Sequence, residues 1–131
     1  MVEWIGVPKD ITKYIGYTYI ITNIPERKFY IGKKLFFSIR KLKPLKGKKN
    51  KRLVRKETDW RDYYGSCNEL NADIERLGKD NFEREILSCY KTRWEWSYAE
   101  LKEQVDRDVL RRKDFYNGII RVRLPGFKKD L

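Results

Sequence analysis

The sequence contains no histidine. That absence removes imidazole-based metal nucleases, zinc fingers of the Cys-His kind, His-dependent phosphodiesterases and every Ser-His or Cys-His hydrolase. Any catalysis must run on tyrosine, lysine, arginine and carboxylates. Cysteine is scarce: with only Cys67 and Cys89 and no export signal, free thiols in a reducing cytosol are the default. Apolar runs last a few residues, too short for a transmembrane helix. The start, Met1-Val2-Glu3-Trp4-Ile5, lacks the basic opening and apolar centre of a signal peptide. These features predict a cytoplasmic protein with no membrane partner.

Acidic residues are missing from one long segment. Lys33 to Lys56 carries twelve Lys or Arg and no Asp or Glu, which leaves 19 basic and 19 acidic residues elsewhere. The whole net charge of +12 therefore sits in 24 consecutive residues. A block this dense points to a polyanion partner rather than to solubility alone. Its expected nucleic-acid contacts are Lys33, Lys41, Lys43, Lys46, Lys48, Lys49, Lys51, Arg52, Arg55 and Lys56. Such contacts would fall mainly on the phosphate backbone of duplex DNA and weaken steeply with salt.

What is present is tyrosine in an unusual arrangement. Tyr17-Thr-Tyr-Ile-Ile-Thr-Asn23 and Lys28–Ile31 are short alternating runs joined by Ile24-Pro-Glu-Arg-Lys28. They read as a β-hairpin that brings tyrosine hydroxyls to one small region. The second strand extends as far as Phe37, or a helix begins at Lys33; Pro44 and Gly47 stop either one. At 131 residues and 40% hydrophobic, the chain is expected to form one domain over 1–131 with a real core. Residues 1–15 read as a leader with Trp4 and Ile5 packed on the domain, and 41–58 as a basic loop.

Ser66 with Glu69 has the form of a capping box, opening a helix from Cys67 to Leu77 that ends at Gly78. Asn81–Tyr90 reads as a third strand. Thr92 with Glu95 offers a second capping box, opening a helix to about Arg111. The apolar stripe Trp94, Tyr98, Leu101, Val105 and Val109 is predicted to pack on the sheet. Gly118–Val122 reads as a further short strand. The expected fold class is α+β: a small three-stranded antiparallel sheet flanked by helices, with a basic loop inserted.

The hairpin resembles the GIY-YIG nuclease superfamily, particularly its small members encoded by tailed phages. Tyr30-Ile31-Gly32 is an intact second motif, whereas Tyr17-Thr18-Tyr19 stands in place of Gly-Ile-Tyr. Arg40 follows Tyr30 by ten residues, Glu100 lies within the second helix, and Tyr116-Asn117-Gly118 comes near the end. The resemblance spans about Tyr17 to Ile120. It implies a divalent-metal-dependent DNA endonuclease, a phosphodiester hydrolase leaving 5′-phosphate and 3′-hydroxyl ends. The alternative is a non-catalytic nucleic-acid-binding module derived from such an enzyme.

On this resemblance Glu100 holds Mg²⁺ or Mn²⁺, with Glu103 as the fallback ligand. Tyr19 or Tyr30 positions and deprotonates the attacking water, with cationic neighbours favouring phenolate. Arg40 stabilises the phosphorane, and Asn117 hydrogen-bonds near the centre. Pro44 stands where relatives often carry a histidine, a role left to Lys33 or Lys34. The same proline is expected to truncate a helix displaying Arg40. The chain is expected to be a monomer or weak dimer, and with no obvious second DNA-recognition domain, long-site specificity would need a partner or a dimer. If phage-encoded, it would act in the bacterial host cytoplasm.

Overall fold

A computed structural model describes residues 3–127 and 129. Five strands and two helices follow in the order β1 (Gly16–Asn23), β2 (Lys28–Leu35), β3 (Phe37–Leu42), β4 (Arg52–Glu57), α1 (Asn68–Leu77), β5 (Phe82–Tyr90) and α2 (Arg93–Asp106). The main sheet has three antiparallel strands in the order β2-β1-β5, so the α+β expectation holds. Tyr19 pairs with Gly32 and Ile21 with Tyr30 across β1–β2. A bulge in β5 between the partners of Thr18 and Tyr19 re-aims that strand.

Because side chains alternate along a strand, this register assigns two faces. One carries Tyr17, Tyr19, Ile21, Tyr30 and Lys34, with Phe82, Arg84 and Ile86 from β5. Trp4, Trp60 and the Leu70–Ile74 side of α1 pack over it. The other face carries Thr18, Ile20, Ile31 and Lys33. It is covered by α2 and by Val109, Phe115 and Ile120. Both faces are buried, which is why Tyr17, Thr18, Tyr19, Ile21 and Ile31 are all at most 1% exposed. Trp4 and Ile5 do pack on the sheet, as expected: Ile5 bridges Glu85 and the Trp4 indole donates to the Trp60 carbonyl at 2.8 Å.

The basic segment is not a loop. After a bend at buried Phe36 the chain leaves the sheet and forms a separate two-stranded sheet, β3–β4, in continuous antiparallel register from Phe37↔Glu57 to Leu42↔Arg52. Only residues 43–51 are irregular. No helix follows β2, so Pro44 truncates nothing and Arg40 is displayed on a strand. The root is pinned to the main sheet: Thr58 donates its N–H to the Phe36 carbonyl at 2.9 Å and its hydroxyl to the Leu35 carbonyl at 2.6 Å.

The helix ends separate two capping expectations. Thr92 caps α2 through its hydroxyl, which accepts from the Glu95 N–H at 3.2 Å. Ser66 does not cap α1. The N-cap is Cys67 with no side-chain bond, and Glu69 instead pairs with Lys28 at 2.6 Å. Gly78 closes α1 at φ +91°, a conformation costly for any residue bearing a Cβ.

α2 ends at Asp106, short of Arg111, and its orientation reverses the periodicity expectation. Trp96 and Gln104 are its buried residues, whereas Tyr98 and Val105 are 45% and 59% exposed. The reason lies in the sheet's backbone. The Trp96 indole donates to the Tyr17 carbonyl at 3.1 Å and Gln104 donates to the Ile31 carbonyl at 3.4 Å. Main-chain acceptors therefore draw the polar-tipped side chains inward, and Trp94 and Tyr98 stack on each other outside, 4.9 Å between centroids. Residues 118–122 form no strand. Among the described residues no helix is long and apolar enough to cross a membrane.

Candidate active site at the free edge of β2

β2 is an edge strand, and its outward backbone groups are only partly covered. Phe29 is bridged by the segment at Phe115. Asn117 then behaves as a side-chain strand: its Oδ1 accepts from the Ile31 N–H at 3.0 Å and its Nδ2 donates to the Ile31 carbonyl at 2.8 Å. Beyond Ile31, Gly32 is buried and the edge becomes part-exposed at Lys33 and Lys34. The sequence-predicted groups gather on either side of that stretch.

On the first face Tyr19 and Tyr30 lie 6.2 Å apart between ring centroids. The Tyr19 ring crosses directly over Gly32. A Cβ there would stand 2.6 Å from Tyr19 Cζ and 3.0 Å from a Tyr30 ring carbon, against the Tyr19 hydroxyl itself. The glycine of the second motif is thus a steric requirement of the tyrosine pair. Tyr63, absent from the sequence expectation, completes the cluster. Its ring packs edge-on to Tyr19 at 6.1 Å, and the Lys34 ammonium sits 4.2 Å above it. Lys34 also pairs with Asp59 at 2.7 Å. Nothing in the sequence marked Tyr63 apart from its neighbour Tyr64, and both are half-buried against the core.

On the second face Lys33 donates to the Ser97 hydroxyl at 2.8 Å and lies 4.1 Å over the Trp96 ring. Glu100 follows one turn on, between Trp96 and Gln104 on the sheet-facing side of α2. It is half-buried. Desolvation raises its carboxyl above the usual range, and the nearby Lys33 charge opposes that shift. Glu103 is occupied elsewhere, in an ion pair with Arg107 at 2.8 Å.

Tyr19 and Tyr30 therefore belong to one face while Glu100 belongs to the helix covering the other. Strand β2 links them: Lys33, three residues after Tyr30, reaches Ser97 on the helix that carries Glu100. Arg40 is not brought in. It is exposed on β3 opposite Val54, and among the described residues its guanidinium has no hydrogen bond or ion pair.

The electrostatics of the phenols run against the expectation of phenolate. Burial pushes both Tyr19 and Tyr30 up, and further hydroxyls add to the shift at Tyr19. A Ser66 hydrogen bond partly offsets the rise at Tyr30. Tyr17, in place of the motif's glycine, is a core residue whose buried hydroxyl has no hydrogen-bond partner among the described residues. Arg55 is committed to structure: it donates to the Thr12 and Tyr14 carbonyls, each at 2.8 Å, and stacks on Phe37. Lys41, Lys43, Lys46, Lys48, Lys49, Lys51, Arg52 and Lys56 are exposed along the β3–β4 ribbon and its turn. Cys67 and Cys89 are free thiols. A cavity of about 650 Å³ lined by Trp4, Trp60, Tyr64 and Arg84 contains none of the predicted residues.

Neither the curated proteins nor the solved structures gave a match to this chain. Among protein-family descriptions, residues 4–120 match "Putative endonuclease segE, GIY-YIG domain". That span contains the tyrosine hairpin, the β3–β4 ribbon, Glu100 and Asn117, nearly the whole described structure. The chain belongs to the segE-type GIY-YIG endonuclease family.

Proposed function

We propose that this protein is a divalent-metal-dependent DNA endonuclease whose hydrolytic centre straddles the free edge of β2. It would leave 5′-phosphate and 3′-hydroxyl ends and act in a reducing cytoplasm, where its two cysteines stay thiols. The observation that carries the reading is that Lys33, three residues after Tyr30 on β2, is bonded at 2.8 Å to Ser97 on the same helix that holds half-buried Glu100. A phosphate at that edge would meet cationic, phenolic and carboxylate groups together.

The residues present fit a hard divalent cation. Glu100 offers oxygen donors, and Mg²⁺ keeps several waters, so one protein carboxylate is enough. When bound, Mg²⁺ or Mn²⁺ would supply Lewis-acid charge to the phosphate and to the leaving 3′ oxygen. The chain's own groups do the rest. Tyr30, the less buried phenol, orients the attacking water, while Tyr19, held by Tyr63, fixes the Tyr30 ring. Part of what raises Tyr30 is the Glu100 charge. Neutralising that carboxylate lets Tyr30 lose its own proton to solvent more readily, and the phenolate can then take one from the attacking water. Lys33 and Lys34 would meet non-bridging phosphate oxygens as point charges, while Arg40, standing apart on the ribbon, would contact DNA outside the centre. Asn117 holds β2 straight at Ile31, so that Tyr30 and Lys33 keep their places.

A second reading, a nucleic-acid-binding module without hydrolytic activity, draws on Tyr19 being 1% exposed and Arg40 standing apart on the ribbon. Supercoiled plasmid incubated with Mg²⁺ or with EDTA separates the two. Nicking or linearisation that needs the metal supports the nuclease; plasmid that is retarded yet intact under both conditions supports the binder.

A further inference from the structure

We propose that the β3–β4 ribbon enters the major groove of duplex DNA as a rigid inserted element, rather than lying on the backbone as a flap. The inference takes DNA as partner from the function proposed above and adds how the DNA is held.

The ribbon is a surface without a core. All six β4 residues are exposed, and Ile39, Leu53 and Val54 are 52%, 67% and 39% exposed amid arginines and lysines. A two-stranded hairpin is marginal in water by itself. This one is nevertheless held at a fixed angle by the Arg55 clamp on Thr12 and Tyr14 and by the Thr58 bonds at its root. A stiff projection bearing apolar and cationic side chains is suited to a partner that offers both.

Size chooses the groove. Six paired residues extend about 20 Å, and two strands side by side with their side chains match a major groove about 12 Å wide. The minor groove, about 6 Å wide, does not admit them. Charge agrees: the ribbon and its turn contain no acidic residue before Glu57, which is paired with Arg61 at 3.3 Å.

The register then orients the element. Arg40, Arg52 and Val54 share one face, whereas the opposite face, shared by Phe37 and Arg55, is turned at its root onto the protein body. The first face is the one directed at base edges, where Arg can address guanine and Val a thymine methyl. Only Phe36 separates the ribbon from β2. Insertion would therefore fix which phosphate lies against the Gly32–Lys34 edge.

The test uses the full chain and a mixed-sequence DNA duplex in EDTA, so that cleavage plays no part. Dimethyl sulfate probes guanine N7 in the major groove and adenine N3 in the minor. The expected result is protection at guanine N7, displacement by methyl green but not by netropsin, and roughly tenfold weaker binding for exposed Arg52→Ala. Binding with guanine N7 fully reactive, or displacement by netropsin alone, would overturn groove insertion and leave the nuclease reading standing. Equal affinity for an RNA duplex would also overturn it, since the A-form major groove is too narrow. Failure to bind duplex DNA at all would sink both proposals.

Discussion

A methyl group added at Gly32 has no space to occupy. Its carbon would stand 2.6 Å from Tyr19 Cζ and 3.0 Å from the Tyr30 ring. Tyr19 is 1% exposed and cannot swing into solvent without breaking its contacts with Trp4, Tyr17 and Tyr63. Overpacking of this kind costs about 1–3 kcal/mol. For a chain of this length that corresponds to a fall in Tm of roughly 3–15 °C. Thermal denaturation followed by circular dichroism reads the shift, and plasmid cleavage reads the displaced tyrosine pair. Gly118→Ala is the internal control, since nothing lies within 4 Å of a Cβ there; its stability should stay within about 0.5 kcal/mol of wild type. If Gly32→Ala melts together with Gly118→Ala and cleaves normally, Tyr19 does not cross over the motif glycine and the site is drawn wrongly.

Two further outcomes follow from the same geometry. Glu100 has a raised pKa in the folded protein, so the folded state holds that proton more tightly than the unfolded chain, and stability falls as pH rises from the ordinary carboxylate value toward the shifted one. Glu100→Gln should therefore melt higher than wild type at pH 7, with the gap closing below about pH 4, and Mg²⁺ should raise the Tm of wild type only. A variant less stable than wild type at pH 7 would contradict the burial argument. Asn117→Ala leaves the Ile31 N–H without its partner and should lower the unfolding free energy by about 1–3 kcal/mol in urea titration. No measurable change would mean that Asn117 does not hold the edge.

The parts legible in the sequence were those set by strong local chemistry. Alternation of Tyr, Thr and Ile gave β1 and β2, and Thr92-x-x-Glu95 gave the start of α2, because strand faces and caps are decided within a few residues. The ribbon was hidden by lysine density and by Pro44 and Gly47, which in fact occupy the turn between two short strands. Their signal was present in the apolar positions Phe37, Ile39, Leu42, Leu53 and Val54. Without a core, those residues show no periodicity strong enough to override the charge. The orientation of α2 was illegible for a different reason. Counting apolar residues favours Trp94, Tyr98, Leu101 and Val105, but the sheet presents backbone acceptors that Trp96 and Gln104 satisfy. The same inversion puts Glu100 on the inner side, a placement that apolar periodicity could not supply.

The proposed hydrolytic edge is shared by a phenol and a carboxylate that come from opposite faces of the sheet. Mg²⁺-dependent plasmid cleavage by Tyr30→Phe and Glu100→Gln, each with DNA affinity measured alongside, tests it most directly. Both variants should bind DNA within a few-fold of wild type while cleavage falls by at least about a hundredfold, within the range expected for a lost acid–base group. Full cleavage by either variant would contradict the shared centre.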